Sequence, residues 1–505
     1  MLTTKTDLRQ AKFQPKLAKL LLNSTLIVLQ QSTDKVTRVT ERSKAEMEEI
    51  LTSQKKAYIQ EGEVSAETRV DRIDRAINIL ANNGPKLCEA MAADFGHRSL
   101  EQSKLTDIDG SIGPLKDAKK HLRGWMKPER RKTMFPLGIF GARARVQYQP
   151  LGVVGCISPW NFPVQLTFAP LAGVFAAGNR TMIKPSEFTP ATSELMQELF
   201  NAAYDLDEVA VIPGGPAVGE AFSSLPFDHL LFTGATSIAK HVMRAASENL
   251  VPVTLELGGK SPVVVGKSAD VELTASNVMT GKTMNAGQIC LAPDYLFIHE
   301  DSTDNFIDAA KKSVAKMYPD LKDNPDYTSM INERHYDRVI SYIDDAKAQG
   351  AEVIELNPAD ENFNQQQHNK IPPTLIIDPS DEMEVMKNEI FGPVLPVKRY
   401  KHLDETLDYI NDHPRPLGLY YFGQDSNEEH KVLTHTTSGG VTVNDVIMHI
   451  AQEDLPFGGV GPSGMGSYHG HDGFKNFSHA KAVYTQSKMV SKLAAAMRPP
   501  YKKAS

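Results

Sequence analysis

Three side chains in this sequence are of the types that acyl transfer through a thiol requires. They are Cys290, Glu256 and Asn161. Such chemistry needs a nucleophile, a donor that stabilises the developing oxyanion and a base that activates water. A thiol, a carboxamide and a carboxylate can supply these functions. Taken singly, however, each residue type is more often structural, because free cysteine is commonly buried and buried polar groups usually satisfy neighbouring hydrogen bonds.

Cys290 stands apart from the other cysteines by its position. Only Cys88, Cys156 and Cys290 occur in 505 residues, and so sparse and odd a set predicts a reducing compartment rather than a disulfide framework. We expect Cys88, in a helical pattern, and Cys156, in an apolar strand, to be buried. Cys290 lies between a predicted helix at 271–284 and a predicted strand at 295–299, a junction at which a thiol can face a cleft.

The composition is that of an ordinary globular protein, with 41% hydrophobic and 23% charged residues. A chain of 505 residues is too long for one compact core, so two or three domains are expected. The net charge of −7 gives no basic field that would favour nucleic acid. The longest apolar run, 166–178, is shorter than the roughly 20 residues of a membrane helix. We therefore expect a cytoplasmic protein without nucleic-acid or membrane partners, and we assign no residue to a metal.

The elements that must position these side chains form an α/β pattern. Apolar strands are predicted at 152–157, 181–184, 209–212, 230–233 and 253–257, with helices at 164–177, 189–204 and 235–246. Such alternation implies a parallel sheet covered on both faces. A second run follows, with strands near 262–265, 295–299, 374–377 and 441–444 and helices near 303–317 and 334–349. The pattern predicts an α/β fold with two parallel sheets.

Polar side chains follow four of the predicted strands directly. The segments are 158–163, 184–187, 232–236 and 256–260. Neither a G-x-G-x-x-G motif nor a P-loop follows the first strand. Because the carboxyl ends of parallel strands form the usual nucleotide-binding edge, we expect these four segments to line one cleft.

Three further segments differ from the α/β body. Residues 1–45 hold nine Lys or Arg against three Asp or Glu, and we interpret them as a poorly ordered extension or a start codon placed too early. Residues 132–150 alternate around Pro136, Gly138 and Gly141, which predicts a hairpin. That hairpin is either a subunit-pairing arm or a plain edge hairpin. Residues 489–505 carry no acidic side chain and are expected to form a basic surface tail.

Four motifs together resemble the aldehyde dehydrogenase superfamily. They are Phe232-Thr233-Gly234, Glu256-Leu257-Gly258-Gly259-Lys260-Ser261-Pro262, Gly287-Gln288-Ile289-Cys290 and Glu389-Ile390-Phe391-Gly392-Pro393. Their order agrees with that family, as does the 34-residue separation of Glu256 from Cys290. The segments at 292–295, 464–470 and 477–479 look like the class 3 branch, and the whole is most similar to bacterial coniferyl aldehyde dehydrogenases.

The resemblance implies a role for each candidate catalytic residue. Cys290 would attack the aldehyde carbon, and the Asn161 amide with the Cys290 backbone N–H would hold the oxyanion. Hydride transfer to NAD or NADP would leave a thioester, which water activated by Glu256 would hydrolyse. The expected activity is oxidation of coniferyl or a related aromatic, unsaturated aldehyde, with a broad or fatty aldehyde as the alternative.

The resemblance also implies the cofactor site, whose residues are Trp160, Lys184, Glu187, Thr233, Gly234, Glu389 and Phe391. Lys184 and Glu187 match adenosine-ribose contacts, Gly234 opens a helix towards the pyrophosphate, and Glu389 and Phe391 match contacts beside the nicotinamide. A carboxylate at Glu187 would repel a 2′-phosphate. NAD is therefore the expected cofactor, with NADP use left open.

The family's architecture supplies the expected domains. These are two doubly wound, Rossmann-like domains, a cofactor domain at 46–131 and 151–257 and a catalytic domain at 258–455, with an oligomerisation arm at 132–150 and 478–488. A homodimer is expected rather than a tetramer. The alternatives are a CoA-acylating dehydrogenase, which Glu256 in the base position disfavours, and a glutamyl phosphate or semialdehyde reductase, which generally lacks the Glu-Leu-Gly-Gly motif. A non-catalytic scaffold is the third alternative.

Overall fold

A computed structural model describes residues 41–494 and residue 499 of the chain. The interpretation of the amino-terminal extension therefore lies, up to residue 40, outside the described residues. The first helix begins at Lys44 behind a capping box, in which the Glu46 backbone N–H donates to Ser43 Oγ at 3.3 Å and the Ser43 N–H donates to the Glu46 carboxylate at 2.7 Å. Residues 43–45 thus belong to the folded body.

The α-helices span Lys44–Glu61, Ala66–Phe95, Leu100–Ser103, Gly110–Trp125, Gln165–Ala177, Pro190–Ala203, Pro216–Ser223, Thr236–Ser247, Val271–Thr283, Thr303–Met317, Glu333–Ala348, Glu384–Lys387, Leu403–Asn411, Ser426–His435, Gly470–Asn476 and Lys488–Ala494. A π-helix, Lys104–Asp109, lies between the third and fourth of these. The strands are β1 Glu129–Arg131, β2 Arg143–Pro150, β3 Val153–Ile157, β4 Arg180–Lys184, β5 Val209–Val211, β6 His229–Thr233, β7 Val253–Glu256, β8 Ser261–Val265, β9 Pro293–His299, β10 Glu352–Glu355, β11 Thr374–Ile377, β12 Val394–Tyr400, β13 Gly418–Phe422, β14 Gly440–Val443, β15 Gly464–Met465 and β16 Ser478–Thr485.

The first sheet has the order β15-β7-β6-β3-β4-β5. Its strands from β7 to β5 are parallel, and β15 adds an antiparallel edge. Successive residues of β3 pack into different cores because side chains alternate across a strand. Val153 packs with helices 44–61, 216–223 and 236–247, whereas Val154 packs with helices 66–95, 165–177 and 190–203. The sheet is therefore covered on both faces, as the apolar strands predicted.

The second sheet has the order β10-β11-β12-β9-β8-β13-β14. All its neighbours are parallel except the edge strand β10. Helices 271–283 and 303–317 cover one face, and helices 333–348 and 403–411 cover the other. The predicted α/β fold with two Rossmann-like sheets is confirmed. Strands β10, β12 and β13 were not predicted. Pro396 interrupts the pattern of β12, and β10 and β13 are short, the latter opening with Gly418.

A third sheet joins β1, β2 and β16. The predicted hairpin exists, but its first strand is Glu129–Arg131, and residues 132–142 form the connection. The prediction that the hairpin begins at residue 132 is therefore wrong, because the segment that holds the proline and the glycines forms turns. Strand β16 pairs with the full length of β2, from Ser478 opposite Pro150 to Thr485 opposite Arg143.

The predicted basic tail begins as a helix, Lys488–Ala494, rather than as a free surface segment. Its Val490 is 1% exposed, and Ser487 Oγ, which donates to the Phe140 carbonyl oxygen, accepts from the Val490 N–H at 3.1 Å. Within residues 41–494, no helix is both long and apolar enough to cross a membrane.

Candidate active site

Four neighbouring strands of the first sheet end at one edge. From β7 to β4, the last residues are Glu256, Thr233, Ile157 and Lys184, and pairing aligns Thr233 with Glu256 and Ile157 with Lys184. The polar segments that follow these strands therefore meet at one edge, as the sequence predicted.

The second sheet contributes through the opposite ends of its strands. Lys260 precedes β8, Cys290 precedes β9 by three residues, and Phe391 precedes β12 by three residues. Strands β12, β9 and β8 are neighbours, so the segments holding these residues share an edge. The catalytic thiol candidate thus lies before a strand, whereas the other polar segments follow strands.

A left-handed turn delivers Cys290 to this edge. After the helix Val271–Thr283, the residues Asn285, Ala286 and Gly287 have φ angles of 50°, 52° and 71°. Alanine in this region is strained, typically by about 1–3 kcal/mol. Gly287 is required for a second reason, because a Cβ there would overlap the Gly392 carbonyl group. The turn therefore packs directly on the loop that carries Phe391.

Gln288 fixes the turn to its surroundings. It is fully buried. Its Nε2 donates to the carbonyl oxygens of Asn285 at 2.9 Å and Ser329 at 3.0 Å, and its Oε1 accepts from the Ile331 N–H at 3.0 Å. Three buried hydrogen bonds thus hold the residue two positions before the thiol.

Asn161 meets the same turn. Its Nδ2 donates to the Gln288 carbonyl oxygen at 3.1 Å, and the Asn161 carbonyl oxygen accepts from Asn285 Nδ2 at 3.1 Å and from Arg98 at 2.8 Å. The side chain is 4% exposed. An amide has two N–H groups, so one remains for a ligand beside Cys290. The structure brings Asn161 and the Cys290 loop together although 129 residues separate them.

A buried ion pair, Arg98 with Asp107, holds the backbone of Asn161 through Arg98. Arg98 and Asp107 are both fully buried, with Nη2 and Oδ2 2.7 Å apart. Asp107 Oδ1 accepts from the backbone N–H groups of Val164 and Gln165, each at 3.2 Å, and so holds the start of the following helix. Asp107 lies within the π-helix Lys104–Asp109, a distortion often found at functional sites. Sequence reasoning missed this pair, because neither residue belongs to a motif.

The Cys290 thiol lies in an acidic, half-buried setting. Burial, together with the carboxylates of Glu389 and Glu256, raises its pKa to about 12, and the backbone N–H groups of Cys290 and Leu291 lower it only in part. A nucleophilic thiol works as thiolate. Proton removal is therefore part of what this site must accomplish. Cys88 and Cys156 are 4% and 3% exposed, which confirms the prediction that both are buried.

Glu256 is 2% exposed, and burial raises its pKa well above the ordinary value. Neither carboxylate oxygen has a hydrogen-bond partner among the described residues. A Cβ on Gly458 would lie 3.2 Å from its Oε1. The negative charge of the Glu256 carboxylate raises the pKa of Cys290 and that of Tyr468. Glu256 is thus a buried, unengaged carboxyl group beside the thiol.

The far end of the cleft holds Lys184 and Glu187. Lys184 is 3% exposed, and its Nζ donates to the Pro185 carbonyl oxygen at 2.9 Å and to Glu187 at 3.3 Å. Burial lowers the Lys184 pKa, and Glu187 raises it in part. The exposed Glu187 carboxylate remains open to a ligand on its other side.

Thr233 and Gly234 link β6 to the helix Thr236–Ser247. Thr233 is 8% exposed, and the Gly234 N–H donates to the Glu256 carbonyl oxygen at 3.0 Å. Ala235 is the N-cap of this helix, and its side chain cannot accept a hydrogen bond from the first N–H groups. The amino terminus of the helix therefore keeps free N–H groups. Such a terminus attracts anions.

Trp160 and Phe391 form an aromatic wall across the two sheets. Their ring centroids are 5.4 Å apart in an edge-on arrangement, and His335 lies 5.1 Å from Trp160. Phe391 has a φ of 45°, a strained conformation that its loop must hold in place.

Glu389 is held close to the first sheet. A Cβ on Gly258 would overlap its carboxylate. Burial, with Asp294, raises the Glu389 pKa to about 7. Asp294 Oδ2 accepts from the Ile390 N–H at 2.9 Å. Asp294 also forms an ion pair with Lys260, which donates to the Val385 carbonyl oxygen at 2.8 Å. This ion pair positions the Glu389 loop and was not predicted.

Lys282 was also missed. It is fully buried, its Nζ has no hydrogen-bond partner in the described part of the chain, and burial lowers its pKa to about 8. Asp294 and Glu389 raise that pKa in part and Lys260 lowers it. A lysine in the helix that precedes Cys290 carried no signal in the sequence, because helix surfaces commonly hold lysine.

The residues fit a nicotinamide dinucleotide. Glu187 and Glu389 each present a carboxylate that can accept a hydrogen bond from a ribose hydroxyl. The Glu389 carboxylate packs against Gly258, where a Cβ would overlap it. The helix terminus after Gly234 offers N–H groups for a pyrophosphate. These donors and acceptors lie along the edge formed by β4, β3, β6 and β7 and the facing loops.

The chain is similar to a known protein family, to named relatives and to a solved structure. The model of the aldehyde dehydrogenase family matches residues 24–483, a match that begins within the predicted extension. A protein of Caulobacter vibrioides named probable coniferyl aldehyde dehydrogenase is 61% identical over 459 residues, which are 91% of this chain and 95% of that protein. The coniferyl aldehyde dehydrogenase of a Pseudomonas species is 55% identical, covering 89% and 93%. The substrate-bound structure of Staphylococcus aureus AldH superposes with a TM-score of 0.82 at 34% identity, covering 90% of this chain and 99% of that one.

Proposed function

This chain belongs to the aldehyde dehydrogenase family and is an NAD(P)-dependent aldehyde dehydrogenase, and we propose that it oxidises coniferyl aldehyde or a related aromatic, unsaturated aldehyde to the acid. The names of the relatives at 61% and 55% identity support this substrate class. The observation that carries the mechanism is the Asn161 amide bound to the Cys290 turn beside an unengaged Glu256 carboxyl group.

Cys290 is the nucleophile in this proposal. The thiol first loses its proton to solvent water; its sulfur then forms a bond to the aldehyde carbon, and the carbonyl oxygen becomes an oxyanion. The second N–H of Asn161 Nδ2 and the Cys290 backbone N–H stabilise that charge; removing one such donor costs about 3–4 kcal/mol of transition-state stabilisation. A nicotinamide dinucleotide held by Lys184, Glu187, Gly234 and Glu389 would supply the hydride acceptor. Loss of hydride from the carbon as its C–H bond breaks would leave a thioester on Cys290.

Glu256 resolves the thioester. Its carboxylate takes a proton from water, the resulting hydroxide adds to the thioester carbon, and the carbon–sulfur bond breaks. The products are the carboxylic acid and the restored Cys290. Burial raises the pKa of Glu256, so the carboxylate that acts as the base forms at a higher pH than it does in an ordinary glutamate. A buried carboxyl group in this place argues for water rather than CoA as the acceptor.

We further propose NAD as the preferred cofactor. The Glu187 carboxylate can accept from the 2′-hydroxyl and repels a 2′-phosphate. The adjacent Lys184 ammonium, 3.3 Å away, offsets part of that repulsion and leaves room for NADP. The cofactor domain at 46–131 and 151–257 and the catalytic domain at 258–455 would then close on the dinucleotide from two sides.

The third sheet supports a homodimer. Its connection exposes Met134 by 74%, Phe135 by 82% and Ile139 by 72%, and large exposed apolar groups often mark protein interfaces. Residues 132–150 and 478–488 would form the arm. Light scattering on the purified protein tests this, and a monomer would contradict it. The cytoplasm is the proposed compartment, because all three cysteines are free.

The main experiment measures NADH formation without CoA. Coniferyl aldehyde should give a higher kcat/KM than aliphatic aldehydes of six to ten carbons, and addition of CoA should not change the product. Cys290→Ala should abolish turnover but retain NAD binding measured by fluorescence quenching. Cys88→Ala, at a buried cysteine in another helix, is the matched control and should retain activity. Preference for aliphatic aldehydes would overturn the substrate class, and activity in Cys290→Ala would overturn the mechanism.

A further inference from the structure

Glu41 contacts the amino end of the helix Pro216–Ser223. Its Oε1 accepts a hydrogen bond from the Gly215 N–H at 2.7 Å. Gly215 is the N-cap of that helix, has no side chain that could accept a hydrogen bond, and is followed by a proline, which lacks an N–H. The Glu41 carboxylate therefore supplies the acceptor at the start of this helix, where a negative charge is favourable.

The position of Glu41 is set by the folded body that follows it. The capping box described above begins the helix Lys44–Glu61 three residues later. In the first turn of that helix, Met47 is fully buried, and it belongs to the same core as Val218 and Phe222 of the helix that Glu41 caps. The two helices thus pack together, and the backbone that carries Glu41 is held beside the second of them.

The capped helix also packs beside Lys184, which is assigned to the adenosine ribose. A Cβ on Gly219 would lie 3.7 Å from Lys184 Cε. The charge of Glu41 reaches this lysine, because it raises the pKa of the ammonium group, as does the charge of Glu187. Among the residues that the structure describes, these two carboxylates are the charged groups that act on Lys184. Both are acidic, so no second cation strengthens this end of the cleft.

The two carboxylates engage Lys184 in different ways. Glu187 forms an ion pair with Lys184 Nζ at 3.3 Å. Within the described part of the chain, Glu41 forms no ion pair with the lysine, and the Gly215 N–H holds its carboxylate instead. One carboxylate therefore offsets the lysine charge directly, and the second makes the sum of the three charges negative.

We propose that Glu41 is a cofactor-specificity residue, whose carboxylate disfavours the 2′-phosphate of NADP at the adenosine ribose and so strengthens the preference for NAD. This inference rests on the proposed function, in which Lys184 and Glu187 bind that ribose. A 2′-phosphate carries about two negative charges at neutral pH, and like charges at one site repel each other. The 2′-hydroxyl of NAD is uncharged, so Glu41 has little effect on its binding.

The test compares Glu41→Gln with the wild-type enzyme for both cofactors. Glutamine keeps an oxygen that accepts from the Gly215 N–H but lacks the charge, so the helix remains capped. The ratio of kcat/KM for NADP to kcat/KM for NAD should rise about fivefold, the factor for an exposed charge interaction of about 1 kcal/mol. The change should appear in KM for NADP, whereas kcat and KM for NAD should stay within about twofold of the wild-type values.

Glu49→Gln is the matched control. Glu49 is an exposed residue of the helix Lys44–Glu61 and does not act on Lys184. Its replacement changes the net charge equally, but the cofactor ratio should stay at the wild-type value. In about 1 M salt, where charges more than roughly 3 Å apart are screened, the effect of Glu41→Gln should also shrink. A ratio that rises equally in both variants would show an effect of net charge and overturn the role of Glu41.

Binding of cofactor fragments locates the effect at the ribose without turnover. Calorimetry on the wild-type enzyme and on Glu41→Gln measures the Kd of adenosine 2′,5′-bisphosphate and of adenosine 5′-monophosphate. Only the bisphosphate should bind the variant more tightly, by about fivefold. Equal changes for the two nucleotides would show that Glu41 only caps the helix, and either that result or unchanged constants would overturn the proposal. The proposed function fails differently: the wild-type enzyme would then reduce neither NAD nor NADP with an aldehyde.

Discussion

Replacing Glu256 by glutamine should separate the two halves of the reaction. The carboxyl group is buried and has no hydrogen-bond partner within the described residues. Glutamine has nearly the same shape, so no protein group loses a partner. The substitution therefore removes the ionisable oxygen and little else, and any change in rate reports the base.

The expected loss follows from the role. A positioned general base contributes about 10²- to 10⁴-fold, or about 3–5 kcal/mol at 1.36 kcal/mol per tenfold change in rate. Steady-state turnover of Glu256→Gln should fall by that factor. Hydride transfer precedes the hydrolysis that Glu256 serves, so the first turnover should keep its rate. The variant should release one NADH per active site as a burst and then stall as the thioester.

The pH dependence has a definite sign. Because burial raises the pKa of Glu256 above 4.5, the carboxylate form increases with pH, and wild-type thioester hydrolysis should accelerate through the raised pKa. Glu256→Gln should lose that acceleration. Between pH 4.5 and the raised pKa, the folded wild-type protein binds more protons at Glu256 than the unfolded chain, so this group's contribution to stability falls as pH rises. The difference between the melting temperatures of Glu256→Gln and the wild type should therefore shift in favour of the variant as the pH rises.

The assay is stopped-flow NADH absorbance with acid quenching and mass spectrometry of the acyl adduct on Cys290. Glu453→Gln is the matched control, because burial also raises that carboxyl pKa, to about 7, while its side chain lies beside Gly113. It should show no burst. If the first turnover of Glu256→Gln slows by the same factor as the steady state and no adduct accumulates, then Glu256 activates the thiol. The raised pKa of Cys290 makes that outcome physically reasonable and the experiment decisive.

Three further predictions concern the groups that position the thiol. Asn161→Ala should slow the first turnover by about 10²- to 10³-fold, the effect of one lost oxyanion donor, measured as the rate of the NADH burst; an unchanged burst would remove Asn161 from the oxyanion site. Arg98→Met should lower the free energy of unfolding by about 3–5 kcal/mol because it leaves a buried carboxylate unpaired, measured by urea denaturation, whereas Arg123→Met, in an exposed pair, should cost at most about 1 kcal/mol; equal losses would contradict the role of burial. Gly287→Ala should abolish activity because its Cβ would overlap the facing carbonyl group, whereas Gly350→Ala, also at positive φ but in open space, should keep full kcat/KM; an active Gly287→Ala would show that the turn can shift.

The sequence by itself determined most of the elements and predicted which residues carry the chemistry. Apolar runs at strand length predicted β3, β4, β6, β7 and β9 to within two residues at each end, because a strand buried on both faces must be apolar throughout. The polar segments after those strands then indicated a shared edge. Cys290, Glu256 and Asn161 could be chosen because thiol chemistry needs those groups and because four motifs occurred in the order of one family.

Only the tertiary structure decided how these groups are supported. The contact of Asn161 with Gln288, the buried Arg98–Asp107 pair and the Lys260–Asp294 pair join residues that lie from 9 to 127 positions apart. Local periodicity reports which face of an element is buried, but it carries no information about which distant side chain lies opposite. A buried polar group acquires its partners only when the chain has packed, and that is why the positioning residues could not be predicted from the sequence.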